Sequence, residues 1–413
     1  MSRKEAVGEV EAGTDTKAGT PGEVFRVFLK LGLTSFGGPI AHLGYFRDEV
    51  VVRRRWIDDA GYADLVALCQ FLPGPASSQV GFALGLMRGG SLGAFAAWTA
   101  FTLPSALVLL AFAYGAAAFA GPLGAGVLHG LKIVAVAVVA QAVWGMARTL
   151  AADRERAAIA VAAVLLIAIS GGAAGQIGAI ALGAVAGLWL CRAASNNVGG
   201  QLNVRISRGF ATTCLIAFAG LLAVLPVLVQ ALGSSGIALF DAFYRAGALV
   251  FGGGHVVLPL LQAEVVQPGW VSGDAFLAGY GAAQAVPGPL FTFAAYLGAV
   301  MRPEPNGIMG AAIALVGVFL PGLLLVVGAL PFWDALRTRP TAQAAMRGAN
   351  AAVVGVLGAA LYDPVWTSAV HSPRDFGLAL TAFVLLTVWR TPPWIVVALT
   401  AIGGVALAAA SRL

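Results

Sequence analysis

Apolar runs separated by short polar, Gly- or Pro-containing breaks follow one another along almost the whole chain after residue 22. Most runs are long enough for a helix that crosses the hydrocarbon core of a bilayer. The pattern therefore predicts an all-α polytopic membrane protein. The full-length spans it predicts are 91–118, 125–147, 157–170, 176–192, 210–232, 306–332, 349–362, 376–390 and 393–410.

Composition supports this prediction. The 413 residues are 59% hydrophobic and only 11% charged, with a mean hydropathy of +0.87, whereas about a quarter of a soluble protein is charged. The pI near 9.5 is attributed to basic cytoplasmic loops rather than to nucleic-acid binding. Cys69, Cys191 and Cys214 are far apart without CxxC spacing, so we expect core residues and neither a disulfide, a metal nor another cofactor.

An internal repeat divides the chain. At a constant offset of 215, residues 28–51 match residues 243–266, and at an offset of 214 Trp56, Gln70 and residues 73–75 (Pro-Gly-Pro) match their equivalents in the second half. We therefore predict a cytoplasmic, disordered tail (1–22), a first module (23–195), a linker with one extra helix (196–235) and a second module (236–413). The tail has no apolar region typical of a signal peptide.

The distribution of Lys and Arg predicts that the second module is inverted. Arg47 and residues 53–55 are basic, but the matching stretch 262–272 has no Lys or Arg, whereas the uncharged segment Gly121–Gly126 matches a basic one. Basic loops face the cytoplasm, and the extra span at 210–232 turns over whatever follows it. The amino terminus is then cytoplasmic and the carboxyl terminus periplasmic, in a bacterial inner membrane.

Two segments in each module are interrupted near their middle by Gly-Gly or Pro-Gly-Pro. Their legs of about ten residues rise about 15 Å, half a bilayer. We predict two re-entrant helical hairpins plus about four transmembrane helices per module. Non-helical backbone at this depth is tolerated where it lines a cavity, and paired broken segments in inverted repeats indicate a transporter's binding site.

The chemistry of these turns favours an anion, because a helix that begins within the membrane presents free amides and the positive end of its dipole. The alternative is that Gly and Pro serve only packing or kinks. The predicted substrate-binding residues of the turns and their flanks are Gly37, Gly38, Gln70, Pro73, Gly74, Pro75, Ser77, Ser78, Gly252, Gly253, Gly254, Gln284, Pro287, Gly288, Pro289 and Thr292.

Charged and titratable residues near the turns extend this site. Intramembrane charge is costly and therefore indicates function, which adds Lys30 and Arg245 as substrate ligands; Lys132 and Arg347 are secondary cations or snorkel to headgroups. The remaining residues each keep two interpretations. Glu49 and Glu264 either couple protons or form ion pairs, and His42 and His255 either titrate or pack through hydrogen bonds. The two glutamines either bind substrate or bridge helices.

The motifs FGGP (36–39), FLPGP (71–75), FGGGHVVLPLL (251–261) and QAVPGPLFTFAAYLG (284–298) resemble the chromate ion transporter family in its long two-module form. The resemblance covers essentially everything after residue 22. It implies export of chromate from the cytoplasm and chromate resistance, with sulfate as a competing analogue. Both a single chain and a homodimer are compatible with it.

The energy source follows from charge. No GxxxxGK[ST] motif is present, and a dianion leaving an inside-negative cell gains about 4.6 kcal/mol at ~100 mV, roughly a two-thousand-fold gradient. Proton exchange is the alternative. The other functions considered are a carrier for sulfate or another anion, a channel, and a membrane-embedded enzyme; an enzyme is disfavoured because none of the four histidines joins an acidic motif.

Overall fold

The computed structural model describes residues 19–115, 121–192, 206–302 and 304–410, and within these ranges all regular structure is helical. Seven of the helices, some with their helical extensions, are long and apolar enough to cross a membrane, so the chain is a multi-pass membrane protein. The helices are α1 (Pro21–Thr34), α2 (Gly38–Arg47), α3 (Asp59–Phe71), α4 (Ala76–Gly115), α5 (Pro122–Leu150), α6 (Arg154–Ser170), α7 (Gly172–Leu190), α8 (Arg208–Leu232), α9 (Ser235–Ala248), α10 (Val257–Leu261), α11 (Gly273–Ala283), α12 (Phe293–Val300), α13 (Gly307–Ala329), α14 (Trp333–Arg337), α15 (Pro340–Ala360), α16 (Pro373–Thr387) and α17 (Pro393–Ala410).

Several predicted boundaries are corrected. The span expected at 349–362 begins at Pro340. Arg347 therefore lies inside the helix, where its charged side chain is accommodated by a hydrogen bond of 2.9 Å to the Cys191 carbonyl. The segment Gly121–Gly126, expected as a loop, is helical from Pro122 onward. The first helix begins at Pro21, within the predicted tail, whose residues 1–18 lie outside the described ranges.

The legs of the Gly-Gly segments are longer than predicted. Helix α1 has 14 residues, which rise about 21 Å, and a π-helical turn (Asp48–Arg53) continues α2. In the second half a 3-10 turn (Gly254–Val256) precedes α10, and a second π-helical turn (Gln262–Val266) follows it. The segments are still interrupted at the predicted glycines.

Helix α4 contains both the second leg of the first Pro-Gly-Pro segment and a full span. Its backbone leaves helical geometry at Gly89 and Gly90, where φ is −130° and +65°. The two legs then fold against each other so closely that a Cβ on Gly85 would lie 2.5 Å from the Gly93 carbonyl oxygen. The matching helices of the second half, α12 and α13, meet at Gly298 and Gly310 in the same way.

Helices α5 and α15 pack mainly on helices of the opposite half. Helix α5 contacts α16 and α17, and in the matching arrangement α15 contacts α6 and α7. Both contacts depend on glycine: Gly130 abuts the Thr400 carbonyl of α17, and Gly348 abuts the Gly183 carbonyl of α7. Small residues allow this approach where lipid supplies no hydrophobic driving force between helices.

Candidate functional site

The four predicted turns are joined in two pairs, each across the halves, by reciprocal hydrogen bonds. The Gly74 amide donates to the Val250 carbonyl over 2.7 Å, and the Gly288 amide donates to the Ser35 carbonyl over 3.0 Å. Gly74 matches Gly288 and Ser35 matches Val250 in the repeat. Each Pro-Gly-Pro turn therefore binds the residue that precedes the Phe-Gly-Gly of the other half.

Backbone conformation explains the glycines of these turns. Gly37 (φ +100°), Gly38 (+77°), Gly252 (+73°) and Gly253 (+151°) all lie in the region that L side chains rarely adopt. Gly254 begins the 3-10 turn, and a Cβ there would lie 3.1 Å from Cγ of Pro39, its own repeat equivalent. The two Gly-Gly turns thus touch each other.

The second proline of each Pro-Gly-Pro turn lies directly before a helical segment. Pro75 and Pro289 precede the first helical residue and accept through their carbonyls, from the Gln79 and Thr292 amides respectively. The central glycines have φ of +125° (Gly74) and +102° (Gly288). Each faces a long helix of the opposite half, Gly74 at Gly322 and Gly288 at Ser105.

A cavity of about 60 Å³ lies between a Gly-Gly turn of the first half and a Pro-Gly-Pro turn of the second. Its polar groups come from Gln141, His255 and Gln284, and the backbone of Gly37 and Gly288 also lines it. Of the predicted residues, the structure brings together Gly37, Gly38, His255, Gln284 and Gly288 at this cavity.

The two histidines differ in their partners. His42 is buried, with Nδ1 3.4 Å from Ser77 Oγ, and its Nε2 has no hydrogen-bond partner among the described residues. His255 lies 2.7 Å from the Tyr280 hydroxyl through Nδ1.

The polar residues of the Pro-Gly-Pro segments also differ. Ser77 and Ser78 are buried at the start of α4, whereas Gln70 is exposed. Thr292 Oγ1 donates to the Pro289 carbonyl over 2.7 Å. Gln79, which sequence reasoning missed, holds the first turn in place because its Nε2 donates to the Pro73 and Gly322 carbonyls over 3.0 and 2.9 Å.

The predicted cations Lys30 and Arg245 form matching ion pairs. Lys30 Nζ lies 3.2 Å from Glu49, and Arg245 Nη2 lies 2.9 Å from Glu264. Asp241 also approaches Arg245, to 3.1 Å. The structure thus places these residues together with the two predicted glutamates, and outside the residues that line the small cavity.

Other charged contacts join the halves. Lys132 of α5 lies 2.9 Å from Asp274 at the start of α11. Asp64 of α3, which sequence reasoning missed, is buried and accepts from Trp333 Nε1 and from Arg337 Nη1, each over 2.9 Å. Arg347 donates hydrogen bonds to the Cys191 carbonyl and to Gln343 Oε1.

A second cavity, of about 640 Å³, lies between α5, α16 and α17 and was not expected from the sequence. His129, His371, Arg374 and Asp375 line it, and His129 Nε2 lies 2.7 Å from Asp375. No group of three or more His, Cys, Asp or Glu side chains in the described ranges is arranged to hold a metal ion.

Comparison with known proteins identifies the family. The model of the family described as chromate transporter matches residues 22–188 and 237–405. The chain belongs to the chromate transporter family. The matched ranges leave out α8 and the linker before it.

The relatives of this chromate transporter family member include full-length matches. A chromate transport protein of Pseudomonas aeruginosa is 30% identical over 399 residues, covering 92% of this chain and 90% of the relative. One of Cupriavidus metallidurans is 29% identical and covers 93% and 92%. An uncharacterized transporter of Bacillus subtilis, YwrA, is 28% identical over 97% of its own length but only 41% of this chain. No solved structure matches the chain significantly.

Proposed function

We propose that this chain exports chromate from the cytoplasm across the bacterial inner membrane by alternating access between two inverted repeats. The reciprocal pair of hydrogen bonds, Gly74 to Val250 and Gly288 to Ser35, carries the proposal. It joins four non-helical turns, matched in pairs by the repeat, and two of these turns line a small cavity with polar groups. Such backbone within a membrane protein is a common place for a transporter's binding site.

The turns suit an anion for electrostatic reasons. Helix α2 begins at its turn without a side-chain cap, and α2 and α4 both direct the positive ends of their dipoles to the turns where they begin. Glycine at positive φ lets this backbone approach a ligand closely. The names of the full-length relatives favour chromate as that anion.

Alternating access is supported by the exchange of contacts between halves. Because each turn binds the other half, a rotation of one half against the other changes both turn contacts at once. The membrane potential supplies about 2.3 kcal/mol per charge per 100 mV, so a dianion leaves without a coupled ion. Proton exchange in its place would make export depend on an imposed pH gradient.

The test is chromate uptake into everted inner-membrane vesicles with Gly288→Ala beside the wild type. Alanine at φ +102° costs about 1–2 kcal/mol, and its Cβ would lie 2.8 Å from Ser105 Oγ. We expect wild-type accumulation and at least a roughly ten-fold loss in the variant. The control is Gly44→Ala in α2, whose added Cβ meets nothing within 4 Å.

Three results would contradict the proposal. Uptake by right-side-out vesicles alone would reverse the direction, and accumulation of sulfate but not chromate by well-folded protein would replace the substrate. Equal activity of both glycine variants and the wild type would remove the turns from the mechanism.

A further inference from the structure

The two halves supply unequal side chains around their matched turns. In the first half the positions around the turns hold Ser35, His42, Ser77 and Thr102. The repeat offset is 215 for Ser35 and His42 and 214 for Ser77. For Thr102 it is 217, because Leu103-Pro104 of α4 matches Leu320-Pro321 of α13. The equivalent residues of the second half are therefore Val250, Val257, Phe291 and Phe319. At these four positions the first half has polar side chains and the second half apolar ones, whereas His255 of the second half stands at the position of Ile40.

Contacts of His42 link part of this set in the first half. His42 Nδ1 lies 3.4 Å from Ser77 Oγ, and the His42 ring packs edge-on against Phe101, beside Thr102. Ser105 Oγ donates to the Thr102 carbonyl over 3.0 Å. In the second half the residues equivalent to Ser77 and Thr102, both phenylalanines, contact each other with ring centroids 5.7 Å apart.

Three of these residues, and Ser78 beside Ser77, each have a buried side-chain atom without a partner in the part of the chain that the structure describes. The atoms are Ser35 Oγ, His42 Nε2, Ser78 Oγ and Thr102 Oγ1. Their residues are at most 2% exposed. A buried polar atom without a partner costs about 1–3 kcal/mol, and such a cluster in a native protein calls for a water or a ligand. In the second half, Thr292 at the position of Ser78 is satisfied by Pro289.

Resting on the proposed function, we infer that the oxyanion is bound off-centre, by Ser35, His42, Ser78 and Thr102 of the first half. Chromate and sulfate carry only acceptor oxygens, so they need O–H and N–H donors. The hydroxyls donate directly, and His42 donates from Nε2 while Nδ1 accepts from Ser77. The second half contributes its Gly288 turn and an aromatic wall.

The Gly288 turn separates this cluster from the small cavity. Gly288 lines the cavity, and its amide binds the Ser35 carbonyl. Opening of that one hydrogen bond joins the cavity to the cluster and admits the anion.

The test is binding of radiolabelled chromate to the purified full-length protein by equilibrium dialysis, with Thr102→Val and Ser35→Ala. Loss of one hydrogen bond to a charged ligand weakens binding roughly ten-fold or more. We expect that loss in both variants, and affinity restored to within about three-fold by Thr102→Ser. Thr400→Val is the control, because Thr400 is equally buried but its hydroxyl is bonded to its own helix.

Thermal unfolding without ligand separates the alternatives. Removing a hydroxyl that has no partner should leave the melting temperature of the apo protein unchanged or higher. A lower melting temperature in Thr102→Val with unchanged chromate affinity would mean that the hydroxyl holds a structural water, and would overturn the inference. Wild-type affinity in both variants would also overturn it while leaving the proposed function standing.

Failure of the proposed function is distinguishable from failure of the site. Wild-type protein that binds sulfate but not chromate changes the substrate, and the same variants then decide the site with labelled sulfate. Wild-type protein that binds neither anion refutes both.

Discussion

Arg245→Ala should harm the protein far more than the equivalent change Lys30→Ala. Arg245 is the one cation within 4.0 Å of Glu264 in the described part of the chain, and it also pairs with Asp241. Removing it leaves two carboxylates without a cation. Lys30 shares its partner Glu49 with two arginines, so that carboxylate stays compensated after Lys30 is removed.

The exposure of these side chains gives the magnitude. Glu264 and Asp241 are 12% and 5% exposed, and breaking a buried pair from one side costs about 3–5 kcal/mol. The Lys30 side chain is 55% exposed, and such pairs are worth about 0–1 kcal/mol. The two variants should therefore differ by about 3 kcal/mol.

The assay is the apparent melting temperature of each detergent-purified variant, followed by chromate uptake per folded molecule. Arg245→Ala should melt well below the wild type, and Arg245→Ala combined with Glu264→Gln should recover part of the loss, since only Asp241 then remains without a cation. Equal melting temperatures for the two single variants would refute the reasoning. Unchanged stability with uptake lost in both would show instead that these cations bind substrate.

Two further comparisons test the packing between the halves, both by melting temperature with a matched control. Gly348→Ala should destabilise the protein by about 1–3 kcal/mol, because the added Cβ would lie 2.1 Å from the Gly183 oxygen. The control is Gly358→Ala in the same helix, whose Cβ meets nothing within 4 Å. A Gly348 variant as stable as the wild type would contradict this helix contact. Asp64→Asn should lower the stability of the protein by about 3 kcal/mol or more. Asp274→Asn should lower it by at most about 1 kcal/mol, because the Asp274 side chain is 74% exposed. The reverse order would contradict the burial of the Asp64 pair.

The repeat in the sequence predicted which turns matter but not how they bind each other. Residues matched at offsets of 215 and 214 include Gly74 and Gly288, and the interruption of the segments at these residues was expected from the Gly and Pro content. The Gly74 and Gly288 amides each donate to a carbonyl of the opposite half. Several carbonyls distant in the sequence could have accepted these hydrogen bonds. Which of them accepts depends on how α5 and α15 pack on the helices of the other half, which local pattern does not specify.

The spacing between the partners of the Lys30–Glu49 and Arg245–Glu264 ion pairs is a signal already present in the sequence. Lys30 precedes Glu49 by 19 residues, and Arg245 precedes Glu264 by the same number. Identical spacing of opposite charges in both halves predicts a conserved pairing across each Gly-Gly turn. Intramembrane charge was instead assigned to the substrate, because charge in an apolar segment has two solutions, a partner or a ligand.

A transporter whose halves exchange roles needs matched backbone contacts but does not need matched ligands. The energies of its two conformations must lie within a few kcal/mol of each other, and equal turn contacts at Gly74 and Gly288 help to balance them. A single anion, however, needs only one set of donors. Had both halves kept polar side chains at the positions of Ser35, His42 and Thr102, the unoccupied set would remain buried without partners at a cost of about 1–3 kcal/mol for each group. Val250, Val257 and Phe319 remove that cost from the second half, which is why we expect symmetry to persist in the glycines and to be lost in the side chains that bind the substrate.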